Sequence, residues 1–264
     1  MRAWSCVPWR RLPSGLACDR ARASGLSAAR TARVTLLTVP PTATREDVAL
    51  LSATERARAE RFVVEPARAA FVTARGAIRR LLARELHCDP SDIRIGIDPL
   101  GRPFLEDQAD EILDFNLSHS GALIAVVIAR GRRVGIDIEW HGLDRGLHEL
   151  VAGVMGARET EFLQTQRGPD FTRAFLDCWT RKEALVKAHG AGISFPLQSI
   201  DIPTLAAHLA ARVELDGGSV WTVSTSAPHD AYSMSIALAG ALDQTVVRGE
   251  LDVAIEWQDR FLTA

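Results

Sequence analysis

Three strand-like runs packed between residues 115 and 139 limit the fold of this chain more than any other stretch. Phe115-Asn-Leu-Ser-His119 gives way at once to the apolar Ala122-Leu-Ile-Ala-Val-Val-Ile-Ala129. Gly131-Arg-Arg133, the expected hinge of the molecule, then leads into Val134-Gly-Ile-Asp-Ile-Glu139. In that last run a period of two puts Val134, Ile136 and Ile138 on one face and Gly135, Asp137 and Glu139 on the other.

Elements of both kinds flank this block. Val34 to Val39 reads as a strand closed by Pro40-Pro41. Ser52 with Glu55 forms a capping box that opens a helix running towards Phe62. A longer helical pattern, Ala67 to Leu86, sets Phe71, Ala74, Ile78 and Leu81 or Leu82 on one face, with its arginines mostly on the other. Ile93–Ile97 is a further strand before the turn at Pro99-Leu-Gly101-Arg-Pro103. Beyond Glu139 the pattern predicts helices over Leu147–Val154, Glu159–Gln166 and Phe171–Ala188, then strands at Ala211–Leu215, Val220–Thr225 and Tyr232–Leu238. This order predicts an α+β chain of two lobes, each a mostly antiparallel sheet packed with helices: an N-terminal lobe over residues 34–130 and a C-terminal lobe over 131–264. No sequence repeat proves a duplication. Residues 1–33, with seven arginines and one acid, Asp19, are expected to be a flexible extension, or the product of a start assigned too early, rather than part of the fold.

Charge and cysteine usage narrow the function classes. A net charge of −2 gives no overall basic field for nucleic acid, and no apolar run reaches the roughly 18 residues that a bilayer span requires. Cys6, Cys18, Cys88 and Cys178 form no C-x-x-C pair, which argues against a zinc knuckle or disulfide framework and for a reduced, cytoplasmic setting.

Three clusters carry chemistry. Asp137 and Glu139 point the same way on one strand, and like charges so placed are natural partners for a bound magnesium or manganese ion, although a solvent-facing acidic edge fits the hexapeptide equally well. On the helix Trp179-Thr-Arg-Lys-Glu-Ala-Leu-Val-Lys187, which should end at Gly190 or Gly192, Glu183 and Lys187 are four apart and share a face. Only two of the 31 basic residues are lysine, Lys182 and Lys187, and both lie in this motif. A gene so biased towards arginine keeps lysine where a compact, removable charge is needed and a planar fork will not serve, so phosphate neutralisation or proton transfer is expected here. Ser118 and His119 sit among the small residues Ser120 and Gly121, which leave room for a phosphate. A Ser-His-Asp hydrolase is disfavoured, because Ser118 and His119 alternate faces of one strand and no G-x-S-x-G elbow occurs.

Taken in order, Gly101-Arg-Pro103, Phe115-Asn-Leu-Ser-His-Ser120, Val134-Gly-Ile-Asp-Ile-Glu139 and Trp179-x-x-Lys-Glu-x-x-x-Lys187 resemble the successive motifs of the Sfp-type 4'-phosphopantetheinyl transferases. The resemblance runs from about Val34 to the C-terminus. It implies two pseudo-symmetric lobes in one chain with coenzyme A in the cleft between them. By motif it implies that Asp137, Glu139 and Glu183 hold Mg²⁺ (or Mn²⁺), that Lys187 and His119 contact the phosphates, and that Arg102, Ser118, Arg58 and, from the side, Lys182 are coenzyme A contacts. Glu183 or Lys187 would be the base. The implied acceptor is a serine of an apo acyl or peptidyl carrier protein, or of a carrier domain of a polyketide or nonribosomal peptide synthase, served by a monomer. Two departures bear on the 3'-phosphate: Glu55 stands where many members carry a base, and Ala67 precedes Arg68 where many carry Asp. The competing readings are a metal-dependent nucleotide phosphohydrolase using the same three carboxylates and a non-catalytic coenzyme A-binding module.

Overall fold

A computed structural model of the chain describes residues 32–106, 113–142, 146–192, 195–200, 202, 210–215, 218–240 and 253–258, the last stretch by its backbone alone. The first strand, β1 (Ala32–Thr38), starts two residues earlier than the apolar run suggests. Ala32 is fully buried and pairs with Ala129, so residues 32 and 33, expected in the N-terminal extension, belong to the first sheet; residues 1–31 lie outside the described residues. Three helices follow: the short α1 (Arg45–Ala49), α2 (Ala53–Glu60) and α3 (Glu65–Leu86). The Ser52–Glu55 capping box at the start of α2 is present, with both bonds formed. The hairpin of β2 (Ile95–Ile97) and β3 (Pro103–Leu105) leads to β4 (Leu113–Ser120) and β5 (Leu123–Arg130).

Past Gly131, which turns with φ +68°, the second half runs β6 (Val134–Trp140), α4 (Leu147–Val154), α5 (Ala157–Gln164), α6 (Gly168–His189), β7 (Ala211–Leu215), β8 (Ser219–Ser226) and β9 (Tyr232–Ala239). Gly190, left-handed at φ +81°, closes α6 where a side chain would be strained. The last strand, β10 (Val253–Gln258), was not anticipated. It returns to the first lobe and lies parallel to β1.

The two sheets have orders β10-β1-β5-β4 and β6-β9-β8-β7. A repeat absent from the sequence is plain in this topology. In each half a strand is followed by a 22-residue helix and then by a hairpin whose second strand pairs antiparallel with the first strand, giving β1-β5-β4 in one lobe and β6-β9-β8 in the other. The sheets meet face to face. Val34, Leu36, Ala125 and Val127 of one close on Ile136, Ile138, Met234 and Ile236 of the other. The outer face of the first sheet, with Phe115, Ile124 and Val126, is covered by Ala74, Ile78 and Leu82 of α3. Ala184, Leu185 and Ala188 of α6 cover the outer face of the second. The result is four layers, helix, sheet, sheet and helix, in which the inner strands β5 and β9 are buried on both faces while Arg212 and Glu214 on the edge strand β7 stay exposed.

Edge strands β4 and β6 lie side by side without a backbone ladder, and side chains take its place. Asp114 Oδ2 accepts the N–H of Val134 at 2.8 Å, Asn116 Oδ1 that of Ile136 at 3.3 Å, and Ser120 Oγ that of Trp140 at 3.0 Å. The constant offset of twenty residues means that the strands run parallel, and the alternation of β4 supplies acceptors to the N–H groups of Val134, Ile136 and Trp140 of β6. The lobes are thereby stitched together directly beyond the turn at Gly131.

Candidate active site

Gly135 decides how the site is assembled. A Cβ at this position would lie 2.1 Å from the carbonyl oxygen of Ala184 and 2.5 Å from the backbone nitrogen of Ala188, so α6 can press onto β6 only because residue 135 has no side chain. The face that carries Gly135 also carries Asp137 and Glu139. Close approach of the helix therefore brings Glu183 and Lys187, one turn apart, to the two strand carboxylates.

Lys187 Nζ lies 2.6 Å from Asp137 Oδ1 and donates at 3.0 Å to Ser118 Oγ, which in turn donates to the same Asp137 oxygen at 2.7 Å. Asp137 is 3% exposed, and its second oxygen, Oδ2, is buried with no hydrogen-bond partner. A buried carboxylate oxygen left bare is costly. Half-buried Glu183 feels the same crowding: its pKa is raised, first by burial and then by the negative charges of Asp137 and, more weakly, Glu139, with Lys187 opposing. Three carboxylates around one ammonium make an electron-rich pocket suited to a hard divalent cation, and the bare Oδ2 supplies a ligand atom that the protein does not otherwise use. Among the described residues no group of three or more His, Cys, Asp or Glu side chains is placed close enough to hold a metal ion in this structure.

Beside the carboxylates is a recess of about 270 Å³ lined by Arg58, Phe71, Arg75, Ser118, His119 and Lys187. Sites that enclose a whole drug-sized ligand span about 300–1,000 Å³, so this one accommodates one charged end of a larger molecule. Its wall is cationic. Arg58 and Arg75 stack on the ring of Phe71, with guanidinium carbons 5.1 and 5.5 Å from the ring centroid. Arg75 was missed by the sequence reading, which turned the arginines of α3 outwards, yet Arg75 and Arg79 point inwards, their side chains 13% and 4% exposed. The signal was the Phe71–Arg75 spacing of four together with Glu55. This acid, which departs from the motif, pairs with Arg79 at 2.8 Å and approaches Arg75 at 3.6 Å while still capping α2. Arg75 Nη1 is left buried without a partner in the wall of the recess, a donor free for an anion. The ring of His119 is exposed by area but flanked by this wall, and its pKa is lowered by partial burial and then by the positive charge of Lys187, with Asp137 opposing.

Residues 133–237 match the 4'-phosphopantetheinyl transferase superfamily, and residues 41–131 match its companion description, 4'-phosphopantetheinyl transferase, N-terminal. The 4'-phosphopantetheinyl transferase HetI of a Nostoc species is 32% identical over 202 residues, 76% of this chain and 84% of its own length. The chain belongs to this superfamily. A phosphopantetheinyl transferase of a Thraustochytrium species is 29% identical over 206 residues, 70% of this chain and 68% of its own. The transferase Sfp of Bacillus subtilis is 28% identical over 164 residues, 61% of this chain and 70% of its own.

Two residues expected to touch coenzyme A are placed elsewhere in this transferase. All five N–H donors of Arg102 are engaged: Nε with the carbonyl of Lys187 (2.9 Å), Nη1 with Asp114 (3.0 Å) and the carbonyl of Pro103 (3.4 Å), and Nη2 with Asp114 (2.7 Å) and the carbonyl of Val134 (2.9 Å). Arg102 thus clamps the first lobe to β6 and to the end of α6, and has no donor left for a ligand. Lys182 is fully buried. Its ammonium meets Glu159 Oε2 at 2.6 Å and the carbonyls of Leu197 and Ile200 at 2.8 and 2.9 Å, which matches its three protons with three acceptors. The 100° step along the helix between residues 182 and 183 turns Lys182 into the packing with α5 rather than to the side of the cleft. Lys187 pairs with Asp137, and Glu183 lies within electrostatic reach of Asp137, Lys187 and Glu139, with Ser118, His119 and Arg58 lining the recess beside them.

Proposed function

We propose that this enzyme is an Sfp-type transferase that moves the 4'-phosphopantetheine arm of coenzyme A onto a serine hydroxyl of an apo acyl or peptidyl carrier protein, with 3',5'-ADP as the leaving group. The observation that carries this reading is the juxtaposition of an anionic half-site and a wall of donors: Asp137, Glu139 and Glu183 on one side of Lys187, and the guanidinium groups of Arg58 and Arg75 with the His119 ring on the other. A diphosphate needs both, a cation held by carboxylates and a wall of protein donors.

Asp137, Glu139 and Glu183 would hold Mg²⁺ or Mn²⁺, and Asp137 Oδ2 is the atom most ready to do so. Such an ion, when bound, supplies charge neutralisation at the diphosphate oxygens. The chain's own residues do the rest. Arg58 and Arg75 receive the remote phosphate, while Lys187 and His119 border the diphosphate. The hydroxyl oxygen of the carrier serine attacks the β-phosphorus, forming a new P–O bond as the bond from that phosphorus to the bridging oxygen breaks, and the electron pair leaves with 3',5'-ADP. The hydroxyl proton passes to Glu183, the carboxylate one helical turn from Lys187. Lys187, paired with Asp137 at 2.6 Å, serves charge stabilisation. Because both lobes of the cleft come from one chain, a monomer suffices. Carrier domains of polyketide and nonribosomal peptide synthases are the acceptors to be tried first.

The test is to incubate the protein with coenzyme A, Mg²⁺ and an apo carrier domain and weigh the carrier. Addition of one phosphopantetheine, abolished by a chelator, is expected. Cleavage of coenzyme A without a carrier would favour a phosphohydrolase, and an unchanged coenzyme A and carrier would leave only a binding module.

A further inference from the structure

Ser120 is given no part in the chemistry above, yet it holds one of the carboxylates. It ends β4, in the first lobe, and is 7% exposed. Its Oγ accepts the backbone N–H of Trp140 at 3.0 Å and donates to Glu139 Oε2 at 2.7 Å. The incoming N–H occupies a lone pair of the hydroxyl, so the hydroxyl proton is directed to the carboxylate instead of turning freely. Two residues earlier the arrangement recurs, with Ser118 Oγ donating to Asp137 Oδ1 at 2.7 Å. Serines alternating on the edge of one lobe therefore meet carboxylates alternating on the edge of the other at a common offset of nineteen residues, as the parallel run of β4 and β6 requires.

We propose that Ser120 is a positioning residue that orients Glu139 for the divalent cation, so that the first lobe sets the geometry of a cation site whose ligands all belong to the second. This inference rests on the assignment of Asp137, Glu139 and Glu183 to a cation. A hydroxyl that donates to one carboxylate oxygen holds the side chain in one rotamer and so fixes where the carboxylate is presented. Losing such an outer partner costs about 10–100-fold in metal affinity where it has been measured. The companion seam residue Asn116 accepts the N–H of Ile136 but touches neither carboxylate in the hydrogen bonds described, and so provides a comparison for the seam alone.

The experiment titrates metal-free protein with Mn²⁺ and follows the free ion by electron paramagnetic resonance, with melting temperature recorded in parallel. Ser120→Ala should raise the Kd for Mn²⁺ about tenfold or more, Ser120→Thr, which keeps the hydroxyl, should stay near wild type, and Asn116→Ala should lower the melting temperature without weakening Mn²⁺. Should the alanine variant fail to fold, Ser120→Cys replaces it, filling the space with a weak donor, and the same loss is expected. A wild type that binds Mn²⁺ and loses it in Glu139→Gln but keeps it in Ser120→Ala or Ser120→Cys would overturn the role of Ser120 alone, as would an Asn116→Ala loss equal to that of Ser120→Ala. A wild type with no Mn²⁺ binding would overturn the cation assignment and this inference together.

Discussion

Replacing Lys182 by methionine separates the two lysines of the WxxKExxxK motif. Methionine has nearly the same length and volume but no charge, so the change removes three interactions at once: the 2.6 Å pair with Glu159 and the bonds to the carbonyls of Leu197 and Ile200. Glu159 is 1% exposed and would keep a buried charge whose remaining described bond is the Gly156 N–H that caps α5, at 2.9 Å. Breaking one side of a buried pair costs about 3–5 kcal/mol, largely because the other charge stays behind. For a chain of this size each kcal/mol lowers Tm by about 2–4 °C, so a fall of roughly 6–20 °C is expected, with a matching shift of the urea midpoint at constant m. Glu159→Gln in the same background should recover part of the loss, since it removes the stranded charge. Turnover per folded molecule, at saturating coenzyme A and carrier, should change little. Lys182→Arg should be destabilising too, because a guanidinium cannot fit where three acceptors surround a single nitrogen. An unchanged Tm with turnover down tenfold would refute this reasoning and return Lys182 to the cleft.

Lys187→Arg, by contrast, should leave Tm nearly unchanged and cut turnover by roughly tenfold to a hundredfold, because the planar fork cannot take the position that one nitrogen holds between Ser118 Oγ and Asp137 Oδ1; turnover at saturating substrates decides it. Gly135→Ala should cost stability and activity together, by about 1–3 kcal/mol or more, since the new methyl must push α6 off β6 and carries Glu183 and Lys187 with it, and parallel Tm and turnover measurements check both. Glu183 has a folded pKa raised above its unfolded value, so it favours the folded state at low pH and this contribution is lost as pH rises through the folded pKa. Metal-free Glu183→Gln should therefore melt higher than metal-free wild type at neutral pH, with the gap closing on acidification below the ordinary carboxylate range; an equal gap at every pH would show that the carboxylate is not crowded.

Most of the frame of this protein was legible because it rests on local rules. The capping box at Ser52, the strand alternation from Val134 to Glu139 and the glycine closing α6 each depend on a few neighbouring residues, and each stands in the structure as read. What escaped depends on partners far along the chain. The strand Val253–Gln258 owes its place to β1, more than two hundred residues earlier, and Arg75 faces inwards because Glu55 on another helix awaits it. Arg102 shows the same limit from the other side: a basic residue in a Gly-Arg-Pro turn suggests a ligand contact until Asp114, Val134 and Lys187, with the neighbouring carbonyl of Pro103, are seen to take all its donors.

The two lysines show how one compositional signal can divide between causes. Scarcity of lysine in an arginine-rich chain signals a place where a compact ammonium is required, and at both positions one nitrogen serves where a fork would not fit. At residue 182 the requirement is a closed shell of three acceptors inside the packing between α5 and α6, which serves stability. At residue 187 the shell is open: Ser118 and Asp137 account for its described bonds, the side chain is 29% exposed, and the remaining direction faces the recess with Arg58 and His119. Composition can show that an ammonium is needed, but only the count of acceptors around it separates structural from chemical use, and that count is a property of the fold.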